Sequence, residues 1–316
     1  MRILFTSVGR RVELVQSFRT AAQKACLQLE IIAADISLSA PALFFCDRKV
    51  RTPRISDPEY IPFLTEYCEG NGIDALIPTI DTDLQILAEN KELFGNTRVI
   101  VSSADAIRIC RDKRLTGEFF KKAGVDYPQP VDDYKKYDKG YPAFIKPKDG
   151  SSSINAYKVS DSSELETLSK MVPDYIVQPF IRGEEYTVDV FCDFNGIPIY
   201  ITPRIRLAVR SGEVLKTQIC QDKRIISEVE AIVAAFKPCG PMTIQLIRET
   251  ASGKDYYIEI NPRFGGGAPL SIKAGADSSE ALLRLLMGER CDYYGKKVAK
   301  DGEIYSRFDQ SILVNG

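Results

Sequence analysis

The chain has 316 residues, a formal net charge of −1, 44% hydrophobic and 27% charged residues, and no histidine. This length allows two or three substructures with hydrophobic cores, and the balanced charge gives no general attraction to nucleic acid or membrane. The absence of histidine excludes the Ser-His-Asp triad, Cys-His proteases, histidine-ligated zinc and acid–base catalysis by imidazole. Any chemistry therefore uses carboxylates, lysine, arginine, hydroxyl groups, the backbone or a metal ion.

The cysteines and the first residues give an expectation about the compartment. Eight cysteines are scattered along the chain without a CxxC pair, which is typical of reduced thiols. No run approaches a membrane-spanning length, and the opening residues resemble a strand more than a secretory signal. We therefore expect a cytoplasmic protein.

The first hundred residues alternate between apolar strand patterns and amphipathic helix patterns. Strands are predicted at about 2–6, 29–34, 75–78 and 99–101, and helices at about 11–26, after 57 and at 83–93. Such alternation is typical of a parallel, doubly wound sheet, which we expect over residues 1–110. A dinucleotide-binding Rossmann unit is a weak alternative, because only Gly9 stands where the GxGxxG fingerprint requires three glycines.

Two pairs of charged residues follow predicted strands in this region. Arg10 and Arg11, at the start of the first helix, either meet an anionic ligand or are solvated. Asp81 and Asp83 follow a strand end, where open sheets place ligands. Asp81 could instead cap the next helix, and we favour that interpretation.

The middle of the chain predicts a helical connector over 111–139 and a small lid domain over 140–178. Inside the lid, the short strand 144–147 is followed by Gly150, Ser151, Ser152 and Ser153. This loop offers N–H groups and hydroxyls to phosphate, or is a flexible linker, because it lacks a Walker A ending. Lys146 lies in an otherwise apolar strand, so its amine either reaches solvent or has an anionic partner. A small domain on two hinges is suited to closing over a ligand.

Residues 179–316 have the strand and turn pattern of an antiparallel sheet. The most informative part is a predicted hairpin near Ser252. A turn centred there places Gln245 opposite Glu259. Strict alternation would put Ile258 and Ile260 on the core face, and Glu259 and Asn261 on the other. Residues 289–316 give no structural signal.

The polar face of this hairpin carries three oxygen-bearing side chains. Gln245, Glu259 and Asn261 would suit a hard cation such as Mg²⁺, which takes few carboxylates and completes its shell with phosphates and water. A surface hairpin with solvated polar residues is the alternative. Arg263 follows directly, and its planar guanidinium matches phosphoryl oxygens.

A second arginine pair lies earlier in the antiparallel region. Arg204 and Arg206 share one face of a strand, which gives a paired guanidinium site for an anion such as a carboxylate. Solvated charges on an exposed strand are the alternative.

Taken together, the motifs resemble the ATP-grasp superfamily, and most closely the ATP-binding halves of the carbamoyl-phosphate synthase large subunit. The matching pieces, in the family's order, are Arg111-Asp112-Lys113, Ile145-Lys146-Pro147 with the Gly150–Ser153 loop, residues 177–189, Gln245, and residues 259–267. The resemblance implies a fold of mixed α/β and α+β class. It would comprise an N-terminal doubly wound parallel sheet, a small lid and a C-terminal domain with an antiparallel sheet.

The resemblance also implies roles for individual residues. Lys113 and Lys146 would hold ATP phosphates, with Gly150, Ser151, Ser152 and Ser153 folding over them. The adenine edge would pair with the hinge strand, and the ribose hydroxyls with Glu185; the hinge residues are Gln178, Pro179, Phe180 and Ile181. Mg²⁺, or Mn²⁺ in its place, would be coordinated by Gln245, Glu259 and Asn261. Arg263 would stabilise the transferring phosphoryl group, and Arg204 and Arg206 would act at the acceptor.

The function implied is that of a Mg²⁺- and ATP-dependent ligase, which activates a carboxylate as an acyl phosphate for attack by an amine or a similar nucleophile. Two alternatives stay open: a small-molecule kinase of the same fold, and a nucleotide-binding subunit that needs a partner chain. The expected partners are small carboxylates and amines, with no nucleic acid or membrane, and a homodimer is left open. The sequence departs from the family at Gln178, where many relatives have glutamate, and in a loop poorer in glycine.

Overall fold

The computed structural model describes residues 1–150, 154–210, 212–293 and 298–314, and its first part is a five-stranded parallel sheet with the order β3-β2-β1-β4-β5. The strands are β1 (Arg2–Thr6), β2 (Glu30–Asp35), β3 (Arg48–Arg51), β4 (Ala75–Pro78) and β5 (Arg98–Val99). The helices are α1 (Val12–Lys24), α2 (Tyr60–Asn71), α3 (Leu84–Asn90) and α4 (Ala104–Arg111). The predicted parallel sheet is confirmed. Strand β3 was not predicted, because its Arg-Lys-Val-Arg sequence on a sheet edge has no apolar pattern.

The parallel sheet is buried on both faces, as its uninterrupted apolar strands require. Ile3, Leu4 and Phe5 are all inaccessible to solvent. One face packs on α1, whose Phe18 ring meets the ring of Phe264 edge-on at 5.8 Å. Phe264 belongs to the C-terminal part of the chain, so this contact joins the parallel sheet to the segment after the predicted hairpin.

The lid is a three-stranded antiparallel sheet with the order β7-β6-β8. Helix α5 (Lys113–Lys122) leads to it, and its elements are β6 (Ala143–Pro147), β7 (Tyr157–Val159), α6 (Ser162–Ser169) and β8 (Tyr175–Pro179). The Asp161 carboxylate accepts hydrogen bonds from the first N–H groups of α6, and the Glu164 carboxylate accepts one from the N–H of Ser160 at 2.7 Å. The Asp161 bonds are the N-cap half of the arrangement that an Asp-x-x-Glu sequence favours, whereas Glu164 reaches one residue further back than the N-cap.

The C-terminal part is a six-stranded antiparallel sheet with the order β13-β12-β9-β10-β11-β14. Its elements are β9 (Gly183–Cys192), β10 (Pro198–Arg210), β11 (Glu213–Ile219), α7 (Lys223–Phe236), β12 (Pro241–Glu249), β13 (Asp255–Asn261), α8 (Ala268–Lys273), α9 (Ser278–Leu286) and β14 (Ile304–Ser306). Strand β14 lies in the stretch that gave no sequence signal. It is three residues long and largely exposed, and its partner β11 is about 90 residues away, so no local pattern marks it.

The register of the β12–β13 hairpin pairs Gln245 with Glu259, as the turn position predicted. The predicted strict alternation is wrong at one residue, because a β-bulge follows this pair. Tyr257 takes the core position in place of Ile258, and its side chain is fully buried with that of Ile260. A bulge sends two successive side chains to one side of a strand. Ile258 therefore faces the same cleft as Glu259.

None of the helices in the described part of the chain combines the length and apolar character that crossing a membrane would require.

Candidate functional site

A cleft of about 790 Å³ lies where the lid sheet, the six-stranded sheet and the carboxyl edge of the parallel sheet meet. All three sheets contribute residues to its walls, from Arg11 at one end of the sequence to Gly267 at the other. Ligands bind at the carboxyl edge of open parallel sheets, and the cleft opens there. Most of the residues singled out in the sequence line it.

The cleft wall formed by β12 and β13 carries an amide–carboxylate cluster. Glu259 Oε1 accepts hydrogen bonds from Gln245 Nε2 at 2.6 Å and from Asn261 Nδ2 at 3.0 Å. Each amide also carries an oxygen, so the three side chains can supply the hard oxygen ligands that Mg²⁺ prefers. Among the residues the structure describes, no group of three or more acidic or thiol side chains could hold a metal. A cation here would have one carboxylate, which suits an ion that is shared with nucleotide phosphates.

Two lysines face this cluster across the cleft. Lys113 begins helix α5, and its Nζ donates to the carbonyl oxygen of Gly150 at 2.9 Å. Lys146 lies on β6 and is buried, with only 8% of its surface exposed to solvent. Burial, followed by repulsion from Lys113, lowers the pKa of Lys146 to about 8, although Glu259 acts in the opposite direction. Burial likewise lowers the pKa of Lys113. Two desolvated cations side by side indicate a site for a multiply charged anion.

The part of the cleft next to Lys146 is lined by aromatic and aliphatic side chains, and the Lys146 ammonium lies 5.7 Å from the centroid of the Phe144 ring. Phe144 and Phe180 lie 6.3 Å apart between ring centroids, and Ile181 and Ile258 contribute to the same wall. The Gln178 side chain is held by another part of the chain, because its Nε2 donates to the carbonyl oxygen of Pro128 at 2.6 Å. An aromatic base could be held here by these side chains.

Pro179 ends strand β8 beside this apolar wall, and Gly150 lines the cleft near the lysines. Ser151, Ser152 and Ser153, to which a phosphate-binding role was assigned, lie outside the described residues.

Glu185 and Arg206 form a polar chain along the cleft wall. The Arg206 guanidinium lies 3.3 Å from the Glu185 carboxylate and donates to Gln245 Oε1 at 3.1 Å. It also donates to the carbonyl oxygen of Gly212 at 3.0 Å. Arg206 thus orients the Gln245 amide as well as facing the cleft.

Arg204 shares the face of Arg206 on β10, as predicted, but it is fully buried. Its Nε donates to the Asp189 carboxylate at 2.8 Å and to Ser271 Oγ at 3.0 Å, and its Nη1 donates to Thr217 Oγ1 at 3.2 Å. A Cβ on Gly267 would lie 2.8 Å from an Arg204 nitrogen, so the glycine allows the loop to pack on the guanidinium. The alternative of a solvated charge on an exposed strand is therefore excluded for Arg204.

Arg263 is bound to Asp81, which lies at the carboxyl edge of the parallel sheet. The interpretation of Asp81 as a helix cap is therefore wrong, since the following turn has no side-chain cap and the carboxylate pairs with Arg263 instead. Arg263 Nη1 also donates to the carbonyl oxygen of Phe264 at 3.1 Å, and its buried Nε has no hydrogen-bond partner in the described chain.

The two arginines after β1 have different environments. The Arg10 side chain is 79% exposed, whereas Arg11 lines the cleft and donates to the carbonyl oxygen of Thr79 at 3.1 Å. Sequence reasoning treated them as an equivalent pair. One sequence pattern could have distinguished them. Position 11, unlike position 10, lies in helical register with the buried residues Leu14, Val15 and Phe18 of α1.

The ATP-grasp class of proteins is defined by a parallel sheet, a small lid and an antiparallel sheet around one cleft. In this protein the cleft carries two lysines and an amide–carboxylate cluster. Residues 110–267, half of the chain, match the family described as ATP-grasp domain, and residues 3–102 match the PylC-like, N-terminal domain. The chain therefore belongs to the ATP-grasp family. The resemblance and the fold class inferred from the sequence are confirmed.

Similar proteins with curated functions are ligases and a carbamoyl-phosphate synthase chain. A 3-methyl-D-ornithine–L-lysine ligase of Methanosarcina acetivorans is 24% identical over 275 residues, 85% of this chain and 70% of that protein. A D-alanine–D-alanine ligase of Thermotoga maritima is 28% identical over 226 residues, 61% of this chain and 71% of that protein. The carbamoyl phosphate synthase large chain, N-terminal section, of Aquifex aeolicus is 26% identical over 318 residues, 90% of this chain and 57% of that protein. The chain thus spans 57% to 71% of the length of these relatives.

Solved structures show the same fold at low identity. N5-carboxyaminoimidazole synthetase from Staphylococcus aureus, complexed with ADP, superposes with a TM-score of 0.75 at 16% identity, covering 94% of this chain and 79% of that one. Biotin carboxylase from Campylobacter jejuni gives 0.74 at 17% identity, covering 96% and 74%.

Proposed function

We propose that this protein is an ATP-dependent ligase that activates a small carboxylate as an acyl phosphate for attack by an amine. The observation that carries the proposal is the convergence of Lys113 and Lys146 on the Gln245–Glu259–Asn261 cluster within one cleft. That the relatives are ATP-grasp ligases supports it.

The cleft offers a separate place for each part of the nucleotide. The apolar wall of Phe144, Phe180 and Ile258 would hold the base, and Glu185 would accept the ribose hydroxyls. Lys113 and Lys146 would bind the phosphates, because their desolvated amines regain stability beside an anion. Phosphoryl transfer depends chiefly on positioning and charge neutralisation, which a site without histidine can provide.

Mg²⁺ bound by Gln245, Glu259 and Asn261 would neutralise phosphate charge during transfer; Mn²⁺ could serve in its place. Arg263 follows Asn261 by two residues and lines the same cleft, so its guanidinium would contact the transferring phosphoryl group. A carboxylate oxygen of the substrate would form a bond to the γ-phosphorus as the bond to the ADP oxygen breaks. An amine would then bond to the acyl carbon, losing a proton as phosphate leaves.

The test is the release of ADP and of free phosphate in a screen of small carboxylates paired with amines, ammonia and amino acids. A ligase releases both only when the two substrates are present, whereas a kinase releases ADP without free phosphate. A chain that binds ATP but turns over none of the pairs would contradict both.

Glu259→Ala should reduce turnover by at least about a hundredfold in a folded protein, because the cluster loses its one carboxylate. Glu249→Ala is the matched control, since Glu249 lies on the same hairpin and its side chain bonds to Ser252 in the turn. Retained turnover in folded Glu259→Ala would contradict the metal assignment.

A further inference from the structure

A second pocket lies at the carboxyl edge of the parallel sheet, beside β2 and the edge strand β3. Its volume is about 420 Å³, and it is formed by the ends of these two strands and by α2; the lining residues are Ile36, Arg51, Thr52, Pro53, Arg54 and Phe63. None of these residues lines the cleft described above. The volume is within the range of pockets that hold small molecules, and ligands bind at this edge of open parallel sheets.

The pocket carries positive charge without a counter-charge. Arg51 and Arg54 are exposed, and neither side chain forms an ion pair or a hydrogen bond with the part of the chain that the structure describes. Arg48 of the same strand, in contrast, lies 3.4 Å from the Glu30 carboxylate. Among the described residues that line the pocket, none is acidic. Two accessible guanidinium groups at one opening therefore offer their planar forks to an anion.

A buried hydroxyl between the two arginines in the chain also lacks a partner. Thr52 is only 8% exposed and lines the pocket, and its hydroxyl forms no hydrogen bond within the described residues. Its backbone is held in place, because the N–H of Thr52 donates to the carbonyl oxygen of Asp35 at 3.1 Å. Buried hydroxyls in folded proteins normally have a hydrogen-bond partner. The Thr52 hydroxyl is consequently available to a ligand in the pocket as a third donor.

The remaining wall of the pocket is apolar. Ile36 is 49% exposed although it directly follows the buried strand β2. The Phe63 ring is half-buried and stacks on the Tyr67 ring, with 6.2 Å between the centroids. Pro53 adds a third apolar side chain. Apolar surface beside cationic groups favours a ligand that carries its anionic group on an apolar body.

We propose that this pocket binds a small phosphate monoester with an apolar or aromatic body. A monoester carries about 1.5 to 2 negative charges at pH 7 and three acceptor oxygens. Two guanidinium groups and one hydroxyl match that charge and that number of acceptors. A carboxylate would bring only one charge, and inorganic phosphate would leave Ile36, Pro53 and Phe63 uncovered. The inference does not rest on the proposed function, because the pocket lies outside the cleft.

The experiment measures binding to the full chain by titration calorimetry, with phenyl phosphate as the probe. Saturating ADP and Mg²⁺ keep the probe out of the cleft. Inorganic phosphate and phenol each represent one half of the probe. We expect phenyl phosphate to bind at least about tenfold more tightly than either, because the ring buries apolar surface and the phosphate gains charge-assisted hydrogen bonds.

Variants assign the contacts within the pocket. Arg51→Gln and Arg54→Gln should each weaken the binding of phenyl phosphate by at least about tenfold. Thr52→Val should weaken it by about fivefold, since valine keeps the shape of the side chain without the hydroxyl.

Lys49→Gln is the matched control, because it removes the same charge from the same strand. The Lys49 amine lies 4.5 Å from the centroid of the Phe44 ring, and the residue does not line the pocket. This variant should bind phenyl phosphate as the unaltered chain does. All of the variants should bind ADP with an unchanged Kd, because none of the substituted residues lines the cleft.

The proposal is overturned if phenyl phosphate does not bind to the ADP-saturated chain, or if inorganic phosphate binds as tightly as phenyl phosphate. It is also overturned if Lys49→Gln weakens the probe as much as Arg51→Gln does, which would show a general effect of charge at this edge of the sheet. A loss of ADP affinity in the arginine variants would place the probe in the cleft and contradict the inference as well. The measurements involve no turnover, so the ligase proposal and this inference can fail separately.

Discussion

Lys146 illustrates how one buried charge can report on nucleotide binding. Its amine titrates near pH 8 in the free protein because burial disfavours the charged form. A bound polyphosphate would favour the protonated form and raise this pKa. Nucleotide binding should then take up a proton above about pH 8, and affinity should fall as the pH rises.

The prediction is that the Kd for ADP increases as the pH passes about 8, by up to about tenfold per pH unit. Titration calorimetry between about pH 7 and pH 9.5 measures it. Lys146→Arg keeps its charge throughout this range and should remove the dependence. The same slope in both proteins would show that another group is responsible.

The contacts of Arg204 lead us to predict a structural role for it, in place of the acceptor site that its spacing suggested. Its guanidinium is fully buried against Asp189, so removing it leaves a carboxylate without its charged partner. We predict that Arg204→Ala lowers the free energy of unfolding by about 3–5 kcal/mol, the usual cost of breaking a buried pair. Denaturant unfolding measures it, with Arg210→Ala as the control, because the pair of Arg210 with Asp309 is exposed. A fully stable Arg204→Ala protein with a raised acceptor KM would instead support direct substrate binding.

At the scale of elements, the packing requires a glycine at one position and not at another, although the sequence alone does not distinguish the two. Gly183 begins β9 so close to β12 that a Cβ would lie 1.9 Å from the carbonyl oxygen of Arg248. Gly70 lies in helix α2, and a Cβ there would meet nothing within 4 Å. Close approach of two backbones requires the first glycine, whereas the second only weakens its helix.

We therefore predict that Gly183→Ala destabilises the fold by about 1–3 kcal/mol or more, because the strands must separate. Gly70→Ala should stabilise it by up to about 1 kcal/mol, since alanine is the better helix former. Thermal and denaturant unfolding of the two variants compares them directly. Equal effects of the two substitutions would contradict this account.

At the scale of the whole molecule, the cleft depends on contacts between distant parts of the chain. Phe18 of α1 packs on Phe264, and Arg263 reaches Asp81 across the domain boundary. The C-terminal segment adds to this, because Arg307 lies 3.3 Å from Glu13 and 3.2 Å from Glu213. A ligand that fills the cleft should consequently stabilise the entire protein.

We predict that ADP with Mg²⁺ raises the Tm more than ADP with a chelator, because a cluster with one carboxylate binds the metal chiefly together with phosphates. At a ligand concentration about a hundred times Kd, the stabilisation is about 2.7 kcal/mol. Scanning calorimetry measures it. In Glu259→Ala the shifts with and without Mg²⁺ should be equal, and a persistent Mg²⁺ effect there would place the metal elsewhere.

The sequence alone determined the features that depend on neighbours along the chain. Alternating strand and helix patterns predicted the parallel sheet, and the turn near Ser252 predicted that Gln245 pairs with Glu259. Each of these depends on local periodicity or on loop length, which the order of residues specifies directly.

Only the tertiary structure decided which charges are paired and which are free. Arg263 and Asp81 are 182 residues apart, and Arg204 is paired with Asp189 of β9 and donates a hydrogen bond to Ser271 of α8. The bulge that turns Ile258 to the cleft, the position of Arg11 against Thr79 and the strand β14 also depend on contacts between distant segments. The physical reason is that ion pairing and burial depend on which surfaces meet in the folded chain, and residue spacing carries no information about that.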